Sequence, residues 1–127
     1  MTVVLDTAAL IWWTTDPARL SANAGRTIDA ATEILVSTIS IWEVAIKARR
    51  GALILPVSAR ALARDLDEVE RVSVRSVDAD TWITNVELDW EHKDPADRTI
   101  VALAQLAGAS LVTSDRRILE FYSRAIW

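Results

Sequence analysis

The sequence predicts an α/β protein with three layers, α/β/α, around a central, mostly parallel sheet. Two observations carry this. Short apolar runs at Val3–Leu5, Ile34–Val36 and Leu111–Thr113 alternate with stretches of helical periodicity, and no two runs are joined by a hairpin turn signal. The size and the 51% hydrophobic content suit one packed core, so a single domain over residues 1–127 is expected.

Val3–Leu5 forms the first strand, and Ala8–Trp13 reads as a helix directly after it. Asp16-Pro17 makes a turn, because the residue before proline is pushed out of the α region. Ser21 caps a second helix, whose Leu20, Ala24, Ile28 and Ala31 share one face. After the Ile34–Val36 strand and a turn at Ser37–Ser40, a third helix runs from Ser40 to about Arg50, where Gly51 closes it. Pro56 precedes a helix over Ser58–Val69 with a Leu62, Leu66, Val69 stripe. A strand near Val72–Val77 and a helix over Asp78–Leu88 follow. Trp90–Lys93 is a loop, and Asp94-Pro95 opens a helix to Ala107, with Asp as cap and Pro at the first helical position. Leu111–Thr113 is the next strand, Asp115–Tyr122 the last helix, and Ala125–Trp127 a short edge strand.

Composition removes several chemistries. The chain has no cysteine and one histidine, His92, which excludes disulfides, a thiolate nucleophile, a zinc-thiolate cluster and a histidine metal cage. A net charge of -4 argues against a simple basic nucleic-acid module. No apolar run approaches the ~20 residues of a membrane span and no basic leader is visible, so a soluble, cytoplasmic protein without membrane contact is expected.

Four acids fall at comparable places. Asp6 ends the first strand, Glu43 follows the second within a few residues, Asp97 lies in the first turn after Asp94-Pro95, and Asp115 follows the Leu111–Thr113 strand. Two readings stand beside each other. Each acid can serve as a helix cap, with Ser40-x-x-Glu43 a capping box. Alternatively, parallel strand ends brought to one edge of the sheet, where open α/β sheets hold ligands, gather all four into a site.

Clustered carboxylates repel, so such a site calls for a hard divalent cation, Mg²⁺ or Mn²⁺, of the kind that assists phosphodiester hydrolysis. Thr7, Thr113 and Ser114 lie beside the acids as water-orienting hydroxyls or as simple caps. Lys47 and Arg50 share a helix face with Glu43, either as an i,i+4 ion pair or as phosphate contacts. Asp94 reads as a cap rather than a ligand.

The blocks Asp6-Thr7, Ser40–Lys47 with Gly51 and Leu53, His92–Arg98 and Leu111–Asp115 resemble, in order and spacing, the motifs of PIN-domain proteins, and more closely the VapC-type toxins of toxin–antitoxin pairs. The resemblance covers nearly the whole chain. It implies a Mg²⁺- or Mn²⁺-dependent endoribonuclease with Asp6, Glu43, Asp97 and Asp115 as its metal and catalytic acids, a homodimer, an RNA substrate and a cognate antitoxin. Two positions depart from the family pattern: Ala8 stands where a histidine is frequent, and Ala96 where an aromatic is. Outside that reading stand a PIN-fold nuclease without a toxin role, a catalytically inactive α/β binding module, and a phosphoryl-transfer receiver domain, which Thr7 and Ala8 disfavour because they occupy the place of its adjacent acids.

Six tryptophans need places. Trp42, Trp82 and Trp127 fit core or sheet-edge positions. Trp12 and Trp13 point about 100° apart on one helix, so both are buried only if a second layer, a subunit or an antitoxin covers that helix.

Overall fold

The computed structural model describes every residue from Met1 to Trp127. Its sheet has five strands in the order β3-β2-β1-β4-β5, and every neighbouring pair is parallel. The strands are β1 Thr2–Leu5, β2 Glu33–Ser37, β3 Val72–Arg75, β4 Ser110–Val112 and β5 Ala125–Ile126. The helices are α1 Thr7–Thr15, α2 Ala22–Ala30, α3 Thr38–Arg49, α4 Ala59–Glu68, α5 Ala79–Glu87, α6 Pro95–Ala107 and α7 Arg116–Phe121, with one 3-10 turn at Pro17–Arg19. The chain adds strands outward from β1 through β2 to β3, then returns to lay β4 on the other flank of β1. The order reverses between β1 and β4, and ligands of open α/β sheets gather at such a reversal.

Side chains alternate across the sheet, and each face has its own core. Val3, Leu5, Ile34, Val36 and Val112 meet α1, α2 and α4 through Leu10, Ile28 and Leu62, whereas Val4, Leu35 and Leu111 meet α6 and α7 through Ile100, Ala104 and Ile118. Burying each large aliphatic side chain contributes roughly 1.5–3 kcal/mol. The sheet is therefore covered on both sides, as the apolar strand sequences require.

Caps set the helix boundaries. Asp6, Ser21, Ser58, Asp78, Asp94 and Asp115 each accept a backbone N–H of the first turn. Gly108 closes α6 at φ 60, which lets Ala109 N–H return to the Ala104 carbonyl at 2.9 Å. Gly51 (φ 73) does the same after α3.

Three sequence expectations change. The α3 helix begins at Thr38 rather than Ser40, because Ser37, at the end of a longer β2, accepts the Ile39 N–H at 3.2 Å; the Ser37–Ser40 turn and the Ser40-x-x-Glu43 capping box do not form, and Ser40 is fully buried in the first turn. Strand β3 stops at Arg75, short of Val77, because Asp78 is extended as the cap of α5. Trp42 and Trp82 are not core residues: they are 60% and 47% exposed. Trp127 does close the β5 edge, where its ring lies 5.6 Å from that of Trp12.

Candidate metal centre at the carboxyl edge of the sheet

Asp6 is the best-enclosed acid. Its backbone N–H still pairs with the Val112 carbonyl at 3.1 Å, continuing the β1–β4 ladder, and the residue is only 6% exposed. Oδ1 accepts the Ala9 N–H at 2.8 Å as the cap of α1. Oδ2 accepts the Thr113 hydroxyl, and that hydroxyl oxygen in turn accepts the Asp115 N–H at 3.0 Å. One threonine thus ties the first acid to the fourth. Burial pushes Asp6 up to about 6, against the pull of the Thr113 and Ala9 hydrogen bonds and with help from the charges of Asp97 and Asp115.

Glu43 reaches the same edge from the second turn of α3. Thr7 donates its hydroxyl to Glu43 Oε1, and the Thr7 and Ser40 hydroxyls lie 3.0 Å apart. Thr7 and Thr113 thus each donate to one acid. Ser114 is exposed, and its hydroxyl makes no hydrogen bond to the acids. The ion pair with Lys47 is not formed; Arg75 pairs with Glu33, and His92 hydrogen-bonds Asp97. Burial raises the Glu43 pKa, the Thr7 bond and Lys47 oppose this, and Asp94 and Asp97 add to it.

Asp97 occupies the third position of α6, with its N–H on Asp94 Oδ1 at 3.1 Å. Asp94 also takes the Ala96 N–H at 2.9 Å, so it is the helix cap as expected. The Asp97 side chain meets His92 Nε2 through Oδ2 at 2.7 Å. Burial raises its pKa first, the His92 bond opposes, and the charges of Asp94 and Asp115 add. Asp115 caps α7 through Oδ1, which accepts the N–H groups of Arg117 at 2.8 Å and Ile118 at 3.3 Å.

The capping and site readings turn out to be compatible. Capping occupies one oxygen of Asp115, and Glu43 caps nothing. Glu43 Oε2, Asp97 Oδ1 and Asp115 Oδ2 have no protein hydrogen-bond partner. As placed, no three of the acids are close enough together to hold one metal ion between them, yet Asp97 and Asp115 act by their charges on Asp6, and Asp97 acts on Glu43. Free carboxylate oxygens in a mutually repelling group, with no nitrogen or sulfur ligand beyond the engaged His92, are a donor set that fits Mg²⁺ or Mn²⁺.

Two residues at this edge went unread in the sequence as parts of the site: His92 and Arg98. Arg98 places its guanidinium on the carbonyls of Asn85 (2.6 Å), Leu88 (3.0 Å), Trp90 (2.6 Å) and His92 (3.0 Å). It thereby ends α5 and fixes the loop leading to Asp97. Arginine next to the Asp94–Asp97 turn was visible, but its targets are backbone atoms of a loop whose path periodicity does not encode.

A parallel five-stranded sheet between helix layers, with acids at the carboxyl end of its order reversal, defines the class: a three-layer α/β protein with an acidic edge site. Comparison with known proteins is specific about the family. The model of the PIN domain family matches residues 3–123, and the chain belongs to that family. It is 36% identical over 118 residues to Ribonuclease VapC22 of Mycobacterium tuberculosis, an alignment covering 92% of this chain and 89% of that protein. Among solved structures it is similar to a toxin-antitoxin complex from Klebsiella pneumoniae (TM-score 0.70, 17% identity, 98% of this chain and 96% of that one). It is also similar to VapC20 of Mycobacterium tuberculosis, a sarcin-ricin loop cleaving toxin (TM-score 0.62, 20% identity, 94% and 95%), and to FitAcB of Neisseria gonorrhoeae (TM-score 0.63, 17% identity, 98% and 96%). At these identities the structural matches bear on the fold.

Proposed function

We propose that this chain is the endoribonuclease toxin of a toxin–antitoxin pair, hydrolysing RNA phosphodiester bonds with Mg²⁺ or Mn²⁺ held by Asp6, Glu43, Asp97 and Asp115. The observation that carries the reading is the link from Asp6 through the Thr113 hydroxyl to the Asp115 backbone N–H, which brings the acids of two strand ends together beside Asp97, whose charge acts on both Asp6 and Glu43. The relative at 36% identity is a ribonuclease, and one structural neighbour is a toxin-antitoxin complex; both support the reading.

Such a cation, when bound, would neutralise charge on the phosphodiester and make a water easier to deprotonate. The chain's own residues do the rest. Glu43 Oε2, Asp97 Oδ1 and Asp115 Oδ2 would hold it through oxygens without a protein partner, and Asp6 through the second lone pairs of its hydrogen-bonded oxygens; Thr7 and Thr113 keep Glu43 and Asp6 from rotating away, so little reorganisation is needed when charge arrives.

Two surfaces suit the partners. Trp42 on α3 and Trp82 on α5 line one groove beside Glu43 and Asp94, and α5 also exposes Ile83 and Val86; this apolar face is where a second copy docks in the homodimer. The antitoxin takes the groove lined by Ala8, Trp12, Arg19, Lys47 and Leu53, next to Thr7 and one helical turn from Glu43. No helix is long and apolar enough to cross a membrane. The proposed RNA substrate supports a cytoplasmic activity.

The test is incubation of the purified protein with total bacterial RNA and mapping of new 5′ ends. Discrete cleavage with Mg²⁺ or Mn²⁺, absent in EDTA and absent for Asp6→Asn, is expected. Ends that appear equally in EDTA or with Asp6→Asn, or no ends at all, overturn it.

A further inference from the structure

His92 is nearly enclosed, with a side chain 10% exposed, although it lies in a loop. Its ring is held from several sides. Trp90 packs on it at 4.8 Å between centroids, and Trp90 itself stacks on Phe121 of α7 at 4.6 Å and 10°. Arg98 takes the His92 carbonyl at 3.0 Å. The two ring nitrogens then face different groups: Nε2 lies 2.7 Å from Asp97 Oδ2, and Nδ1 lies 3.3 Å from Nη1 of Arg117. A guanidinium only donates, so Nδ1 must accept, and the ring proton stands on Nε2, aimed at the carboxylate.

We infer that His92 is a positioning residue for the cation site: its Nε2–H holds Asp97 Oδ2, fixing the rotation of the carboxylate so that Oδ1 is presented to the metal. The inference rests on the reading of Asp97 as a ligand. A carboxylate on its own turns freely about its last torsion, and any orientation lost on metal binding counts against affinity. Here the column Phe121–Trp90–His92 transfers the rigidity of α7 to Asp97 on α6. Arg117 belongs to the same device, because its contact selects the tautomer that donates to Asp97.

A histidine that merely fills space makes the opposite prediction about two variants. His92→Phe keeps a ring against Trp90 but removes donor and acceptor. His92→Gln loses the ring but offers an amide N–H for Asp97 and an oxygen for Arg117. Mn²⁺ binding by isothermal titration to parent, both variants and Asp97→Asn separates the cases. The expected order is parent and Gln close together, with Phe weaker by roughly 10- to 100-fold and Asp97→Asn at least as weak as Phe. If Phe binds like the parent while Asp97→Asn is weakened, the inference is overturned and the metal reading stands. If Asp97→Asn binds like the parent, the metal reading fails at this residue and the inference falls with it. A ¹H–¹⁵N long-range spectrum of the parent, in which His92 is the sole histidine, needs no variant. A protonated Nε2 with an unprotonated Nδ1 is expected, and an Nδ1–H tautomer overturns the inference even if the Phe variant fails to fold.

Discussion

Thr113 and Asp6 stand 107 residues apart in the chain and share a hydrogen bond through the Thr113 hydroxyl and Asp6 Oδ2. Because that hydroxyl also accepts the Asp115 N–H, one oxygen atom serves both strand ends. Thr113→Val keeps the shape and removes the atom. It leaves a buried carboxylate oxygen without its donor and an N–H without its acceptor, a cost of about 1–3 kcal/mol. Chemical denaturation should show that loss, and RNA cleavage should fall with it; unchanged stability would mean that the Thr113 contact is dispensable.

Stability without metal should depend on pH in a particular sense. Asp6 is raised from 3.8 to about 6, and a carboxyl raised on folding loses stability as pH climbs from its unfolded through its folded pKa, here from about 4 to about 6. The full shift corresponds to about 3 kcal/mol. Asn caps a helix as well as Asp does, so Asp6→Asn in EDTA should gain stability relative to the parent at pH 7 and gain little below pH 4. Thermal unfolding at both pH values checks this, and equal differences at the two would refute it.

Divalent cation should reverse the penalty. A ligand that binds only the folded state stabilises by about 2.7 kcal/mol at a hundred times its Kd. Millimolar Mn²⁺ should therefore raise the Tm of the parent, and raise those of Asp97→Asn and Asp115→Asn much less. Parallel rises in all three would remove these acids from the site.

The exposed face of α3 and α5 gives a prediction about assembly. Val86 is 79% exposed, so Val86→Glu costs the monomer little. It should halve the mass seen by light scattering if this face joins two copies, with the unfolding transition intact. A mass that stays that of two chains moves the interface elsewhere.

Arg98 carries a loop on one side chain. Lysine preserves its charge but cannot fork among four carbonyls. Arg98→Lys should increase amide exchange over residues 88–94 while β1 and β4 keep their protection; uniform protection would show that the loop holds itself.

Much of this arrangement was legible in the residues. Apolar runs and helix caps gave the layers, and the repeated placing of acids after strands gave the edge on which Asp6 and Asp115 lie. Ser40 misled because capping signals are local, whereas β2 pairing with β3 carries the strand on to Ser37 and lets that serine cap first. Trp42 and Trp82 misled because hydrophobicity alone cannot tell a core position from an exposed one. His92 stayed unread since its contact with Asp97 depends on where Arg98 pins the loop, a matter of backbone carbonyls with no side-chain signature.

The order of the strands also bears on when the acidic edge is assembled. Strand β1, which delivers Asp6, is completed on one flank by β4, and Thr113 is translated 107 residues after Asp6. Until then Asp6 has neither its hydrogen-bond donor nor its neighbouring charges, and β1 has an open edge. Such long-range pairing closes late. A chain translated only as far as β3 therefore holds Asp6 on an open strand edge, and the acids of the edge come together only once β4 has been made and has paired with β1.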